Sequence, residues 1–192
     1  MKENNYVIGV DEVGRGAIAG PLVIGVASAV WNKKTKRLLK GIKDSKKLSF
    51  KQRMAWFKKF KKMPIEFHVV FISNDLIDKK GISSALEAGV KRALGKIKRP
   101  PQLVLLDGNL KAPQKYKQKT IIKGDDKIPL ISAAAIYAKV KRDLYMMKIN
   151  KKYPYCFTNH KGYGTREHFS LIRKNGISKI HRRSFLKNIV KK

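Results

Sequence analysis

A chain of 192 residues can bury one good hydrophobic core, with room for a small helical appendage but not for two generous domains. Its 45 Lys and Arg against 13 Asp and Glu give a formal charge of +32 at pH 7, which repels itself unless a polyanion is the usual partner; nucleic acid leads, and no basic amphipathic anchor speaks for a membrane surface. The lone Cys156 excludes an internal disulfide and a cysteine metal cage, and no apolar stretch is long enough for a signal peptide or a membrane span, so a cytoplasmic protein is expected.

The run from Val7 to Val10 reads as a buried strand that ends at Asp11-Glu12, because Gly14 and Gly16 punctuate the chain there. Leu22 to Val30 is a second strand, close enough to pair antiparallel with the first, and Trp31 to Leu48 is a basic linker. Ser49, with Gln52 as capping-box partner, opens a helix to about Lys62 anchored by Met54, Trp56, Phe57 and Phe60. Ile65 to Ile72 is a third strand. A turn at Asp75 and Asp78 leads into a helix from Ser84, boxed by Glu87, to about Ile97. Past Pro100-Pro101, Gln102 to Leu106 is a short buried strand delivering Asp107, and Thr120 to Ile122 is another, followed by Lys123-Gly124-Asp125-Asp126. Leu130 to about Asn150 is a long helix, closely packed through Ala133, Ala134 and Ala135. Two short helices close the chain, from about Arg166 to Lys174 and from Ile177 to Val190. Three strands, then strand and helix alternation, then helices predict an α/β fold: a mixed central β-sheet flanked by helices, with a small C-terminal helical cap.

Most of the acids read as helix caps or surface partners. Asp11, Glu12, Asp107 and the Asp125-Asp126 pair differ, since each ends an apolar strand or opens a buried helix, and strand ends are where α/β sheets gather ligands. Clustered carboxylates cannot all stay ionised without cations between them; two Mg²⁺ ions would neutralise them, activate water and stabilise the leaving oxygen of a phosphodiester. His68, His160, His168 and His181 show no pair at zinc spacing, which leaves oxygen ligands and hence Mg²⁺ or Mn²⁺. Taken alone, Asp11-Glu12 is a solvated turn by default, and a dinucleotide loop at Gly14-x-Gly16 is disfavoured because the acids would repel a pyrophosphate. Strand alternation raises an obstacle: Asp11 and Glu12 should face opposite sides. Asp11 is therefore expected to bridge the ions, with Glu12 reaching by its longer side chain or through its carbonyl. Charge alone does not separate Asp125 from Asp126, because either could lie near the following helix N-terminus.

Six collinear blocks carry a resemblance: DEVGRG at Asp11 to Gly16, DSKKL at Asp44 to Leu48, LLDGN at Leu105 to Asn109, KGD with ISAAAIYAKVKRD at Lys123 to Asp143, HKGYGT at His160 to Thr165, and HRRSF at His181 to Phe185. Together they resemble bacterial ribonuclease HII, the type 2 ribonuclease H. The Gly-Arg-Gly, with no extra N-terminal domain, favours this type over ribonuclease HIII. The resemblance implies a ribonuclease H-like fold in one catalytic domain, with a core over about 1–150 and a helical subdomain over about 151–192. It implies a monomer that cuts the RNA strand of RNA–DNA hybrids, and cuts 5′ to ribonucleotides embedded in duplex DNA to leave 3′-hydroxyl and 5′-phosphate ends. By motif position the metal carboxylates are Asp11, Glu12, Asp107 and Asp125, holding two Mg²⁺ or Mn²⁺ ions. The ribose-sensing loop falls on Gly14, Arg15 and Gly16, further substrate contacts on Ser45 and Lys46, and the stacking tyrosine on Tyr163. Glycines let backbone groups approach a sugar closely, and only the 2′-OH marks it as ribose. Ala135 stands where the family usually has Ser, and no clamp-binding tail is expected after HRRSF. The rivals are a non-catalytic nucleic-acid binder that uses charge alone and a general nuclease or integrase of similar fold.

Overall fold

The structure, a computed structural model, describes residues 5–187. Its centre is β1 (Asn5–Val13), which pairs antiparallel with β2 (Leu22–Trp31); β3 (Glu66–Ile72) continues that side antiparallel. On the other side β4 (Leu103–Asp107) pairs parallel with β1, and β5 (Gln118–Ile121) parallel with β4, giving one mixed sheet in the order β3-β2-β1-β4-β5. The helices are α1 (Lys33–Leu38), α2 (Phe50–Phe60), α3 (Asn74–Leu94), α4 (Gly124–Lys127), α5 (Pro129–Ile149), α6 (Phe157–His160) and α7 (Arg166–Asn175). No helix among the described residues is long and apolar enough to cross a membrane.

The β1 run is apolar without alternation because both sheet faces are covered. Ile8, Val10, Ile24 and Leu106 pack with Ile77, Leu86 and Val90 of α3, while Val7, Ala27 and Leu105 meet Leu130, Ile131 and Ala134 of α5 and Phe60 of α2. Helix α5 lies so close to the sheet that a Cβ on Gly9 would stand 2.6 Å from the Leu130 carbonyl, and one on Gly25 2.5 Å from that of Ala134. The glycines in the strands and the alanines in the helix are thus two halves of one contact. A third cluster joins Ile18 and Ala19, from the loop after β1, to Met146, Phe157, Ile172 and Leu186. The C-terminal cap is therefore built on that loop.

Four local expectations change. Strand β1 does not end at Asp11-Glu12: its antiparallel ladder with β2 runs on through Asp11↔Gly25, Glu12↔Ile24 and Val13↔Val23. The basic linker holds α1, whose N-cap Asn32 accepts from the Thr35 amide, and a 3-10 turn at Ser45–Lys47. The helix expected from Ser84 begins at Asn74, capped by Ser73, and turns at Gly81, whose φ of 77° and ψ of 164° are not helical. Asp78 is drawn from its expected turn to accept from the Arg183 and Ser184 amides, both at 2.9 Å. Finally, residues 177–187 do not form the long helix expected to run to Val190, of which 188–190 lie outside the described residues. Their backbone bonds go to the loop after β1 instead, from Arg182 N to Ile18 O at 2.8 Å and from Gly20 N to Ile180 O at 2.9 Å, with a 3-10 turn at Arg183–Phe185. The remaining expected elements form within a few residues of their anticipated ends.

Candidate active site

The parallel register aligns Val10 with Leu106, so the next residues, Asp11 and Asp107, stand side by side where the β1–β4 ladder stops. Oxygens of Asp11, Glu12 and Asp107 all lie within 4.8 Å of one another. Glu12 joins the cluster despite strand alternation, because the β4 partner has ended and its longer side chain reaches round. One oxygen of each aspartate is fixed: Asp11 Oδ1 accepts from the Glu12 amide at 2.7 Å, and Asp107 Oδ1 accepts from the Gly124 and Asp125 amides at 2.5 and 3.3 Å. The one-turn α4 thus clamps Asp107 and brings in Asp125, which lies just before the N-terminus of the long helix as expected, its carbonyl accepting from Ser132 Oγ in the first turn of α5 at 2.6 Å. Asp125 is buried, and Lys46 Nζ engages its Oδ2 at 3.1 Å. Asp126 is exposed and pairs outward with Lys47 at 2.6 Å.

Burial, then the neighbouring Glu12 and Asp107 carboxylates, push the Asp11 carboxyl well above the ordinary range. Glu12 is also raised, chiefly by burial, with Arg15 pulling against it. Such a set of oxygens fits a hard divalent cation, which would remove the repulsion that raises Asp11.

A cleft of about 220 Å³ opens over these acids. Gly14, Arg15 and Gly16 form one wall, Ser45 and Lys46 another, and Tyr163 a third. Every site residue that the resemblance implied lines it except Asp125, which lies behind Lys46. Arg15 is turned toward Asn109 Oδ1 at 2.9 Å, and Tyr163 is half-buried.

Sequence reasoning missed the groups that hold this wall in place. Arg142 and Arg182 are fully buried, and their hydrogen-bonded donors end on backbone carbonyls. Arg142 donates to Pro21, Ala19 and Lys161 at 2.9, 3.1 and 2.8 Å; Arg182 donates to Gly20 and Arg15 at 3.0 and 2.9 Å. Gly14 has a φ of 87° and lies directly against the Arg142 side chain, where a Cβ has no room. Among 45 basic residues, nothing local in the sequence distinguishes these two. Burial of a cation is a tertiary fact. The histidines hold a second surprise: His160, His168 and His181, unpaired at zinc spacing, come together under Tyr163, with the His160 and His168 rings stacked at 4.2 Å.

A mixed five-stranded sheet with a carboxylate cluster at the end of its central ladder defines the class, a ribonuclease H-like enzyme. The solved ribonuclease H2 of Pyrococcus horikoshii superposes with a TM-score of 0.76 at 28% identity, covering 97% of this chain and 100% of that one. Residues 8–188 match the sequence model of Ribonuclease HII, and the chain belongs to that family, the type 2 ribonuclease H endonucleases. It is 42% identical to the Ribonuclease HII of Caldicellulosiruptor bescii, over 96% of this chain and 88% of that protein. To the Ribonuclease HII of Prochlorococcus marinus strain MIT 9215 it is 47% identical, over 94% and 89%.

Proposed function

We propose that this protein cuts the RNA strand of RNA–DNA hybrids, and cuts 5′ to ribonucleotides embedded in duplex DNA, as one catalytic unit of core and cap. The observation that carries the reading is the meeting of Asp11, Glu12 and Asp107 in one cleft with the Gly14–Gly16 loop and Tyr163. Asp11, Glu12, Asp107 and Asp125 would hold two Mg²⁺ or Mn²⁺ ions. When bound, these supply charge neutralisation and Lewis acidity at the scissile phosphate. Lys46, whose side chain is 79% exposed, is free to leave Asp125 for a phosphate oxygen. The backbone of Gly14 to Gly16 is close enough to the cleft to read a 2′-OH, held by Arg142 and Arg182 from behind. Tyr163 is the flat platform for the adjoining sugar. Water gives up a proton as its oxygen bonds to phosphorus and the bond from phosphorus to the 3′ oxygen breaks; the 3′ oxygen takes up a proton in exchange, leaving 3′-hydroxyl and 5′-phosphate ends.

The test is a duplex with one ribonucleotide, an all-DNA duplex of the same sequence, and a long hybrid, each with Mg²⁺, Mn²⁺ or EDTA. Cleavage should occur on the first and third only, with metal only, and 5′ to the single ribonucleotide. Cutting of the all-DNA duplex, or binding without cutting of any, contradicts the reading.

A further inference from the structure

Beside the carboxylate cleft lies a larger groove of about 450 Å³, bounded by α2, α5 and the cap. Tyr163 and Lys139 line both, whereas Asp11, Glu12 and Asp107 line only the first. We infer that this groove is a phosphodiester subsite, formed by Arg53, Lys139 and Lys161, that holds the nucleic-acid backbone beyond Tyr163. The inference builds on the proposed substrate and adds a place where its backbone is gripped.

Charge is the first argument. Arg53 and Lys139 share one carboxylate, Asp143, whose side chain is 2% exposed, Lys139 Nζ donating to it at 2.7 Å and Arg53 at 3.5 Å, while Lys161 feels it only through space. Two positive charges are left over in a place where the Arg53 and Lys139 side chains are only 12% and 19% exposed. Burial holds both Lys139 and Lys161 below the ordinary lysine range, and nearby cations, Arg53 among them, add to it. An anion in the groove relieves both lysines and offsets the surplus charge. Hydrogen bonding is the second argument. Arg53 donates to the carbonyls of Ser45 and Leu48, yet its Nε is buried without a partner.

The backbone at Lys161 points the same way, since its φ of 53° is left-handed and suits glycine far better than lysine. The structural duties of this residue are mostly backbone ones: its carbonyl accepts from Arg142 and its amide donates to Phe157 O. Its ammonium only caps the Thr158 carbonyl. A lysine kept there against its conformational preference presents an ammonium to the groove. Continuity with the cleft through Tyr163 selects a polymer over a free anion, because one strand can occupy both.

The test is a backbone scan in EDTA, so that binding is read apart from cleavage. A ribonucleotide-containing duplex carries a neutral methylphosphonate at one position at a time and is bound by wild type, Lys161→Gln and Lys161→Gly. One or two adjacent positions to one side of the ribonucleotide should weaken wild-type binding roughly tenfold, as expected for a charge-assisted hydrogen bond, and should cost the variants little. The variants should also lose about 0.9 from the slope of log K against log salt, and Lys161→Gly should melt no lower than wild type. Equal losses at every position in wild type and variants overturn the subsite. So does inorganic phosphate that titrates the groove with no position-dependent effect, which would make it a free-anion site. Absence of cleavage with metal, by contrast, strikes the proposed function and leaves this scan readable.

Discussion

Two groups of buried or half-buried titratable side chains flank Tyr163, and they are built on opposite principles. In the histidine cluster every ring nitrogen has a partner. His160 donates to Tyr155 O at 2.7 Å and accepts from the Gly162 amide; His168 donates to Tyr163 O at 2.9 Å and accepts from His181 at 3.1 Å; His181 accepts from the Ser178 amide at 3.0 Å. That chain of donors closes only with all three rings neutral, and burial holds His168 and His181 at pKa values of about 4. In the carboxylate cluster like charges face one another, and Asp11 is raised by burial and by its neighbours. A polar group satisfied within the chain is scaffold, whereas one that the chain leaves repelled awaits something from outside.

The largest expected break in this contrast is Asp11→Asn. Cleavage should fall by orders of magnitude, while the metal-free protein melts higher, because the substitution removes a buried charge that opposes folding. Turnover like that of wild type, or a lower melting temperature in EDTA, would contradict this. Next in size is the comparison of Asp125→Asn with Asp126→Asn, read as rates across a Mg²⁺ and Mn²⁺ titration. Loss at Asp125, buried and tied to Lys46, should reach roughly a hundredfold or more; loss at Asp126, exposed and paired with Lys47, should stay within a few-fold. The reverse ranking would move the fourth ligand by one residue.

The smallest effect is the pH response of the scaffold, and its sign separates the two clusters. His168 and His181 titrate near 4 when folded and near 6.5 when unfolded, so the unfolded chain binds more protons between those values. Their stabilisation is complete above pH 6.5 and is lost as pH falls toward 4, by an amount on the order of a few kcal/mol for the pair. For Asp11 the folded pKa is the raised one, so metal-free stability falls as pH rises from the ordinary carboxylate range. Denaturant melts of wild type and His168→Gln over this range should show the full acid-side loss in the first and about half of it in the second, which keeps His181. Parallel curves would assign the loss elsewhere.

Much of this was legible in the sequence wherever a signal is local. The apolar runs of β1 and β4, the Ser49 and Gln52 cap of α2 and the alanine-rich α5 are written in neighbouring residues, as are the strand-end acids, while the loop, Ser45, Lys46 and Tyr163 that line the cleft came from the family resemblance alone. What the sequence hid is long-range. Whether β1 stops at Asp11 depends on β2 lying opposite it through Val13, and whether 177–187 coils depends on carbonyls of the loop at Ile18. The clustering of three histidines and the burial of Arg142 and Arg182 likewise exist only once the cap has closed on that loop.

The most direct measurement of the central claim, that the carboxylate cluster is a cation site and the histidine cluster is not, is calorimetric titration of Mn²⁺ into metal-free protein at pH 7. Wild type and His168→Gln should bind saturably with similar affinity and gain thermal stability with added metal, as a ligand of the folded state requires, while Asp11→Asn should do neither. Binding undiminished in Asp11→Asn, or abolished in His168→Gln while it remains folded, would contradict the account.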